Sequence, residues 1–444
     1  MRGIAIALGI AIVFFAASLT LFALQHAMVL GVIAFLVTLW TNEALPLGVV
    51  SLLPLLLFPL IGVMDSSAVA GNYANSIIFL FLGGFMIAIA IEKTQLHIYF
   101  SAKLLHIFPK TPRGIIYALA VTSALLSAVL SNTTVALMLM PIALFLSENI
   151  KLKIRFLLAT AYGATIGGIL TPIGTPPNLI LMGFLQEHSL PVLNFGKWML
   201  LMLPVVGVML LLVPWILSWE VRNESVESIK HNVPVLTRAQ KRLYGIVIVF
   251  GLVLASNTFT KEGLGIALDE TLVLLGFGLL MFVPKIGFLK WEDTKKIPYE
   301  IIFLFGAGFS IAAAFSFTGL AADIAHKLEF VLTFPFFWML VFVALFITFA
   351  TEVTSNTALT SISLPIFYEF AKSMPQEEGM ILLMAVTIKA SYAFMLPIAT
   401  PPNAIIMSSG IVSVKQMAKT GIKFNLIGIV ALCLSAYFVW KEIL

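Results

Sequence analysis

The chain has 444 residues, of which 60% are hydrophobic and only 11% charged, a balance that no soluble domain of this length needs to fill its core. Its single cysteine, Cys433, excludes an intrachain disulfide and any cysteine-based metal or redox centre. The net charge of +5 would hint at nucleic acid in a soluble protein; here the basic residues gather on one side of a series of apolar blocks, so an all-α polytopic membrane protein with no nucleic-acid partner is predicted.

A bilayer span takes about 20 apolar residues. The first predicted span, 4–24, follows a lone Arg2, is longer than the apolar region of a signal peptide and has no small-residue cleavage site after it, so it is read as retained. Further spans are predicted at 27–41, 46–63, 76–91, 154–171, 198–218, 243–259, 269–284, 299–316, 380–396 and 420–440, eleven in all. Two more apolar stretches, 114–149 and 332–371, are each split by a Ser-Asn-Thr motif and are read as re-entrant hairpins; pairs of full spans would equally add an even number of crossings. With the N-terminus inside, twenty basic residues fall in inner segments and five (Lys197, Lys261, Lys327, Lys372 and Lys441) in outer ones, with Lys389 left inside a span. The N-terminus is therefore expected in the cytoplasm and the C-terminus outside, with the polar segment 219–242 as the cytoplasmic linker between two halves.

Those halves share one plan. Ser131-Asn132-Thr133 recurs 224 residues later as Ser355-Asn356-Thr357, and Ile78-Phe79-Leu80-Phe81 recurs at the same offset as Ile302-Phe303-Leu304-Phe305. Pro172-Ile173-Gly174-Thr175-Pro176-Pro177-Asn178 returns one residue further along as Pro397-Ile398-Ala399-Thr400-Pro401-Pro402-Asn403. One Ser-Asn-Thr stretch opens from the inside and the other from the outside, so the repeats are expected to be inverted. Gly/Pro-interrupted apolar segments at matching places in two repeats point to a transporter's midplane binding site.

The chemistry follows from residue type. Ser127 precedes Ser131, and Thr351 precedes Ser355, by four residues, a spacing expected to place both hydroxyls on one helix face where each hairpin turns. Backbone freed at such a tip has no lipid partner. Its carbonyls and the hydroxyls suit a small cation, while freed N–H groups and helix N-termini favour an anion. The paired prolines of both Thr-Pro-Pro-Asn motifs remove helix donors and should break their helices. Hydroxyls bonding back to their own helix, asparagines joining helices and simple proline kinks would be the structural explanation of one copy; two copies in register favour a lined cavity. Leu82-Gly83-Gly84 and Gly306-Ala307-Gly308 are read as close helix packing.

These motifs, with Ser391-x-x-Phe394-x-x-Pro397-Ile398-Ala399-x-x-x-Asn403-x-Ile405, resemble the divalent anion/sodium symporter family of di- and tricarboxylate transporters, often called INDY proteins. The resemblance runs from about Thr41 to the final span, with Ile406 where valine is usual. It implies an elevator-type homodimer in a bacterial inner membrane, with scaffold spans and arms in 1–112 and 243–331 and transport-domain parts in 113–218 and 332–444. It implies one sodium site at Ser127, Ser131, Asn132 and Gly174 and another at Thr351, Ser355, Asn356 and Ala399. Substrate would touch Asn132, Thr133, Asn356, Thr357 and the breaks at Thr175-Pro176 and Thr400-Pro401. Co-transported Na+ is implied, with no organic cofactor. The expected function is sodium-coupled symport of C4-type dicarboxylates such as succinate, malate or fumarate; the alternatives are a sodium-independent di/tricarboxylate exchanger and a carrier of sulfate or another oxyanion.

Lys389 stands where a small or neutral residue is expected, and Glu352, beside Thr351, is its nearest candidate partner; the two are read as modulators of the second cation site, the alternative being a structural pair or a lysine facing a water-filled cavity. Glu43 is expected to cap or snorkel at an inner span end. No recurring metal spacing among the histidines and acids supports an enzyme, and occluded inverted repeats do not suggest a channel.

Overall fold

The computed structural model describes residues 2–42, 44–226, 235–264 and 268–444; Glu43 and part of the linker, 227–234, lie outside the described residues. Every regular element among them is helical. The first half comprises α1 (Arg2–Ser18), α2 (Leu24–Asn42), α3 (Leu47–Leu52), α4 (Pro54–Leu60), α5 (Ser66–Asn72), α6 (Ser76–Lys93), α7 (Leu96–Ile107), α8 (Pro112–Ser127), α9 (Asn132–Phe145), α10 (Ile150–Gly168), α11 (Pro176–Glu187) and α12 (Phe195–Trp219). The second comprises α13 (Arg238–Leu264), α14 (Glu270–Leu280), α15 (Tyr299–Thr318), α16 (Leu320–Lys327), α17 (Phe336–Val353), α18 (Asn356–Lys372), α19 (Gln376–Ser391), α20 (Pro401–Ser408), α21 (Val414–Ser435) and α22 (Lys441–Ile443).

The duplication runs through the whole architecture. Displaced by 224 residues, α6 falls on α15, α7 on α16, α8 on α17 and α9 on α18; one residue further along, α10 falls on α19, α11 on α20 and α12 on α21. The α3–α4 helix, kinked where Pro54 removes a donor, matches α14, and α5 matches a 3-10 turn at Trp291–Lys296. The halves interlock rather than sit side by side: α6 lies against α14 and α15 against α3, while α9 packs on α20 and α18 on α11.

Helix ends are set locally. Thr111 caps α8 ahead of Pro112, Asn149 caps α10, Asn194 caps α12 and Ser413 forms a capping box with Gln416 at α21. The glycine stretches do make close crossings. A Cβ on Gly83 would run into the backbone carbonyl of Leu274, and one on Gly278 would come within 2.7 Å of the Gly83 Cα, so α6 and α14 touch backbone to backbone. Ion pairs join the basic ends of the helices: Lys93 to Asp293 at 2.5 Å, Lys296 to Glu92 at 2.9 Å and Lys151 to Glu224 at 3.2 Å. The Lys290 backbone N–H and the Lys93 ammonium hold the Asp293 carboxyl below the usual carboxylate range.

Six stretches among the described residues are long and apolar enough to cross a membrane: Leu24–Asn42, Ser66–Lys93, Phe195–Trp219, Tyr299–Thr318, Phe336–Val353 and Val414–Ile443. The remaining expected spans are shorter, more polar or interrupted. Span 154–171 stops as a helix at Gly168, and span 380–396 stops at Ser391, because the residues that follow are the extended breaks before the two proline pairs.

Candidate functional site

Each Ser-Asn-Thr motif straddles a helix break. α8 ends at Ser127, the chain turns through 128–131, and Ser131 becomes the N-cap of α9, its Oγ accepting the Thr134 N–H at 3.1 Å. In the other half α17 ends at Val353 and Ser355 stands at the N-cap of α18. This corrects the expectation that Ser127 and Ser131, or Thr351 and Ser355, share one helix face: the helix ends between them, and the four-residue spacing spans a turn instead.

Across the turn, the Ser127 hydroxyl donates to Asn132 Oδ1, and Thr351 lies 2.7 Å from the corresponding amide atom of Asn356. The broken helices close on both clusters. In the first, Gly168 and Gly174 let the chain approach: a Cβ on Gly168 would come within 2.8 Å of Asn132 Oδ1, and one on Gly174 within 3.0 Å of the Ser127 carbonyl oxygen. In the second, the inward atom of the Asn356 amide lies 3.2 Å from the Ala390 carbonyl oxygen and 3.0 Å from that of Ala399, while the Thr351 hydroxyl reaches Ala390 at 2.6 Å. With nitrogen inward, Asn356 donates to these oxygens. With oxygen inward, four oxygens converge around a single hydroxyl proton, an arrangement that a cation without protons to share would complete.

Two asparagines staple the breaks open. Asn178 Nδ2 donates to the carbonyls of Gly168 (3.1 Å) and Thr171 (2.9 Å), and Asn403 Nδ2 to Ala393 (3.2 Å) and Leu396 (3.1 Å), the same positions 225 residues on. Both side chains are wholly buried. Pro172 and Pro397 cannot donate to the Gly168 and Ala393 carbonyls four residues back, and the asparagines supply those donors instead, so the extended backbone at Thr175 and Thr400 persists without a helical ladder. Thr175 and Thr400 are buried, and the Thr400 hydroxyl has no hydrogen-bond partner among the described residues. Pro176 and Pro401 open the first turns of α11 and α20. Because α9 packs on α20 and α18 on α11, the Ser-Asn-Thr motif of each repeat is brought to the Thr-Pro-Pro-Asn motif of the other.

The two halves are not covered alike. Along α9, Thr133, Leu137 and Pro141 are exposed; along α18, the matching Thr357, Ser361 and Pro365 are buried, with Ser361 against Gly308 of α15. Leu137 is 53% exposed and Ser361 1%.

Glu352 and Lys389 do not pair, which corrects the sequence expectation. The Glu352 carboxylate is taken up by backbone donors of the second break, with Phe394 N at 2.8 Å, Met395 N at 3.0 Å and Leu396 N at 3.0 Å, and by Asn425 Nδ2 at 2.6 Å. Lys389 turns elsewhere: its fully buried ammonium has no hydrogen-bond partner among the described residues, lies 5.4 Å from the Tyr392 ring centre and sits over Gly428. Adjacency in sequence to Thr351 could not show that the break frees three N–H groups beside Glu352. Asn425 carried a signal that went unused, a lone amide inside the apolar span 420–440. Among the described residues no group of three or more His, Cys, Asp or Glu could hold a metal.

A family model described as citrate transporter matches residues 33–388. The chain belongs to the citrate transporter family. It is a transport protein of the membrane and not an enzyme, and the divalent anion/sodium symporter resemblance of its motifs agrees with that membership. Within the citrate transporter family's relatives, the chain is similar to the sodium-dependent dicarboxylate transporter SdcS of Staphylococcus saprophyticus, 32% identical over 94% of this chain and 86% of the relative. The protein of the same name from Staphylococcus aureus strain NCTC 8325 is 30% identical with the same coverage. In fold it is similar to the YdaH transporter of Alcanivorax borkumensis (TM-score 0.55, 12% identity, 84% of this chain and 87% of that one). It is likewise similar to MtrF of Neisseria gonorrhoeae (TM-score 0.58, 13% identity, 84% and 83%).

Proposed function

We propose that this protein is a secondary transporter that couples sodium to the uptake of C4-type dicarboxylates across a bacterial inner membrane. The observation that carries this reading is the pair of hydroxyl–amide clusters at the helix breaks, Ser127–Asn132 beside Gly168 and Gly174, and Thr351–Asn356 beside the Ala390 and Ala399 carbonyls. Each stands at a helix N-terminus, where the next residue, Thr133 or Thr357, is placed to meet an anion. The motifs contain no arginine or lysine to neutralise a dianion, so sodium charge and helix dipoles do it. The names of the Staphylococcus relatives supply the substrate class and the ion.

The working cycle is an elevator movement of a bundle built from α8–α12 and α17–α21 against a scaffold, in a homodimer with eleven spans and two re-entrant hairpins, N-terminus in and C-terminus out. Support comes from the uneven cover of α9 and α18. Two-fold related stripes, one open and one sealed, are what an inverted repeat presents at one end of an alternating cycle. The open stripe belongs to the hairpin assigned to the cytoplasmic side, so the conformation is inward-facing.

Uptake of radiolabelled succinate into proteoliposomes with and without a sodium gradient tests this reading. Uptake should require sodium and saturate with succinate. Sodium-indifferent uptake that depends on internal dicarboxylate would replace it with the exchanger, and sulfate transport without succinate transport would replace the substrate class.

A further inference from the structure

Glu352 is the feature that the two-site reading leaves unused. In the first repeat its position is held by Ala128, which has no side-chain oxygen; there the Thr171 hydroxyl donates to the Ala128 carbonyl, and Leu170 N keeps a turn bond to Gly167 at 3.0 Å. In the second repeat the matching residues Phe394, Met395 and Leu396 have left the helical ladder, and all three backbone N–H groups point at one carboxylate that is 3% exposed. Three backbone donors and an asparagine amide take the place of the water that this carboxylate loses on burial. Thr351, the next residue, faces the second oxygen cluster. The same short segment thus delivers a cation ligand and, beside it, a negative charge.

We propose that Glu352 is a positioning residue that makes the second cation site the tighter of the two and the first to fill. Its carboxylate fixes the unwound backbone so that the Ala390 and Ala399 carbonyls stay aimed at Asn356 and Thr351. Its charge also attracts the cation through a low-dielectric interior, where such attraction is far less screened than in water. The first site is built from neutral groups only and fills second. Lys389 opposes this effect, and its ammonium lies over Tyr392 and against Gly428, one turn along α21 from Asn425, while the Tyr162 hydroxyl, also buried at the break, bonds the Phe394 carbonyl at 3.0 Å. The inference rests on the sodium reading above.

The test is the sodium activation curve of succinate uptake by the reconstituted full-length protein at saturating succinate. Wild type is compared with Glu352→Gln, Glu352→Asp and Asn425→Leu. Glu352→Gln should raise the half-activating sodium concentration by about tenfold or more, a loss of ~1.4 kcal/mol, while uptake at saturating sodium is largely kept. Glu352→Asp, which keeps the charge, should fall between Gln and wild type, and Asn425→Leu should shift the curve in the same direction by a few-fold. A purely structural role would lower the maximal rate with the half-activating concentration unchanged, or would make Asp no better than Gln; either result overturns the proposal. If Glu352→Gln does not reach the membrane, an unshifted curve in Asn425→Leu overturns it alone. A wild type indifferent to sodium would remove the sodium reading and this inference with it, whereas a sodium-dependent wild type with unshifted variants removes only this inference.

Discussion

Replacing Asn356 by alanine removes the amide that closes the second oxygen cluster. In the structure that amide end meets three oxygens, Thr351 Oγ1 at 2.7 Å, Ala399 O at 3.0 Å and Ala390 O at 3.2 Å. Thr351 keeps its own bond to Ala390, so the carbonyl left without a partner is that of Ala399. As neutral hydrogen bonds, the three contacts contribute ~1 kcal/mol each. Their loss costs ~3 kcal/mol of stability, or roughly a hundredfold in an equilibrium constant. If the oxygen faces inward and a cation fills the cluster, the penalty appears instead as ligand loss: a bond to a charged group contributes ~1.5–3 kcal/mol, so sodium affinity should fall ~10- to 100-fold. The two cases separate experimentally. Thermal unfolding of the sodium-free protein in detergent reads the first, and the sodium activation curve of succinate uptake reads the second. We expect the sodium-free protein to stay folded and uptake to be nearly abolished at ordinary sodium concentrations. Uptake near wild type with an unmoved sodium curve would refute the cluster as a cation site.

Other expectations follow from the same geometry. Thr357→Val keeps side-chain volume and loses one hydroxyl, so the succinate concentration for half-maximal uptake should rise several-fold while the sodium curve barely moves; Thr133→Val should behave alike. Gly83→Val should prevent folding, since its Cβ would overlap the Leu274 backbone, whereas Gly207→Ala, with open space around it, should be neutral; size-exclusion profiles of the purified proteins compare them. Cysteines at Gly308 and Ser361, which touch, should cross-link and arrest uptake until reduced, and Cys433, being buried, should not interfere.

Much of this was legible in the sequence, for definite reasons. The 224-residue offset places residues by count alone, and the proline pairs after Thr175 and Thr400 mark breaks because proline chemistry forbids a helical ladder there. Gly83-Gly84 reads in sequence as close helix packing, and the structure supplies the partner, α14. What could not be read was direction. Whether Ser127 and Ser131 lie on one helix depends on where the helix ends, and that is decided by tertiary contacts such as Thr171 with Ala128. Pairing Lys389 with Glu352 followed the rule that opposite buried charges meet; here backbone N–H groups freed at the break captured the carboxylate first. The short helix α5 and its 3-10 counterpart carry too few apolar residues to stand out from connecting loop.

The glycine contacts divide the protein's seams into two mechanical kinds. At the α6–α14 crossing, main chain rests on main chain, with Gly83 against Leu274 and Gly278 against Gly83, and no rotatable atom lies between the helices to yield. At the α15–α18 seam, Gly308 meets side-chain atoms, the Ser361 hydroxyl first and Ser361 Cβ and Ile180 Cδ1 behind it, and a side chain can turn where a backbone cannot. The first behaves as a weld and the second as a bearing surface. If the proposed elevator movement takes place, it will therefore slip along the side of α18 and leave α6 and α14 locked together, so the place where backbones touch marks the part expected to stay still.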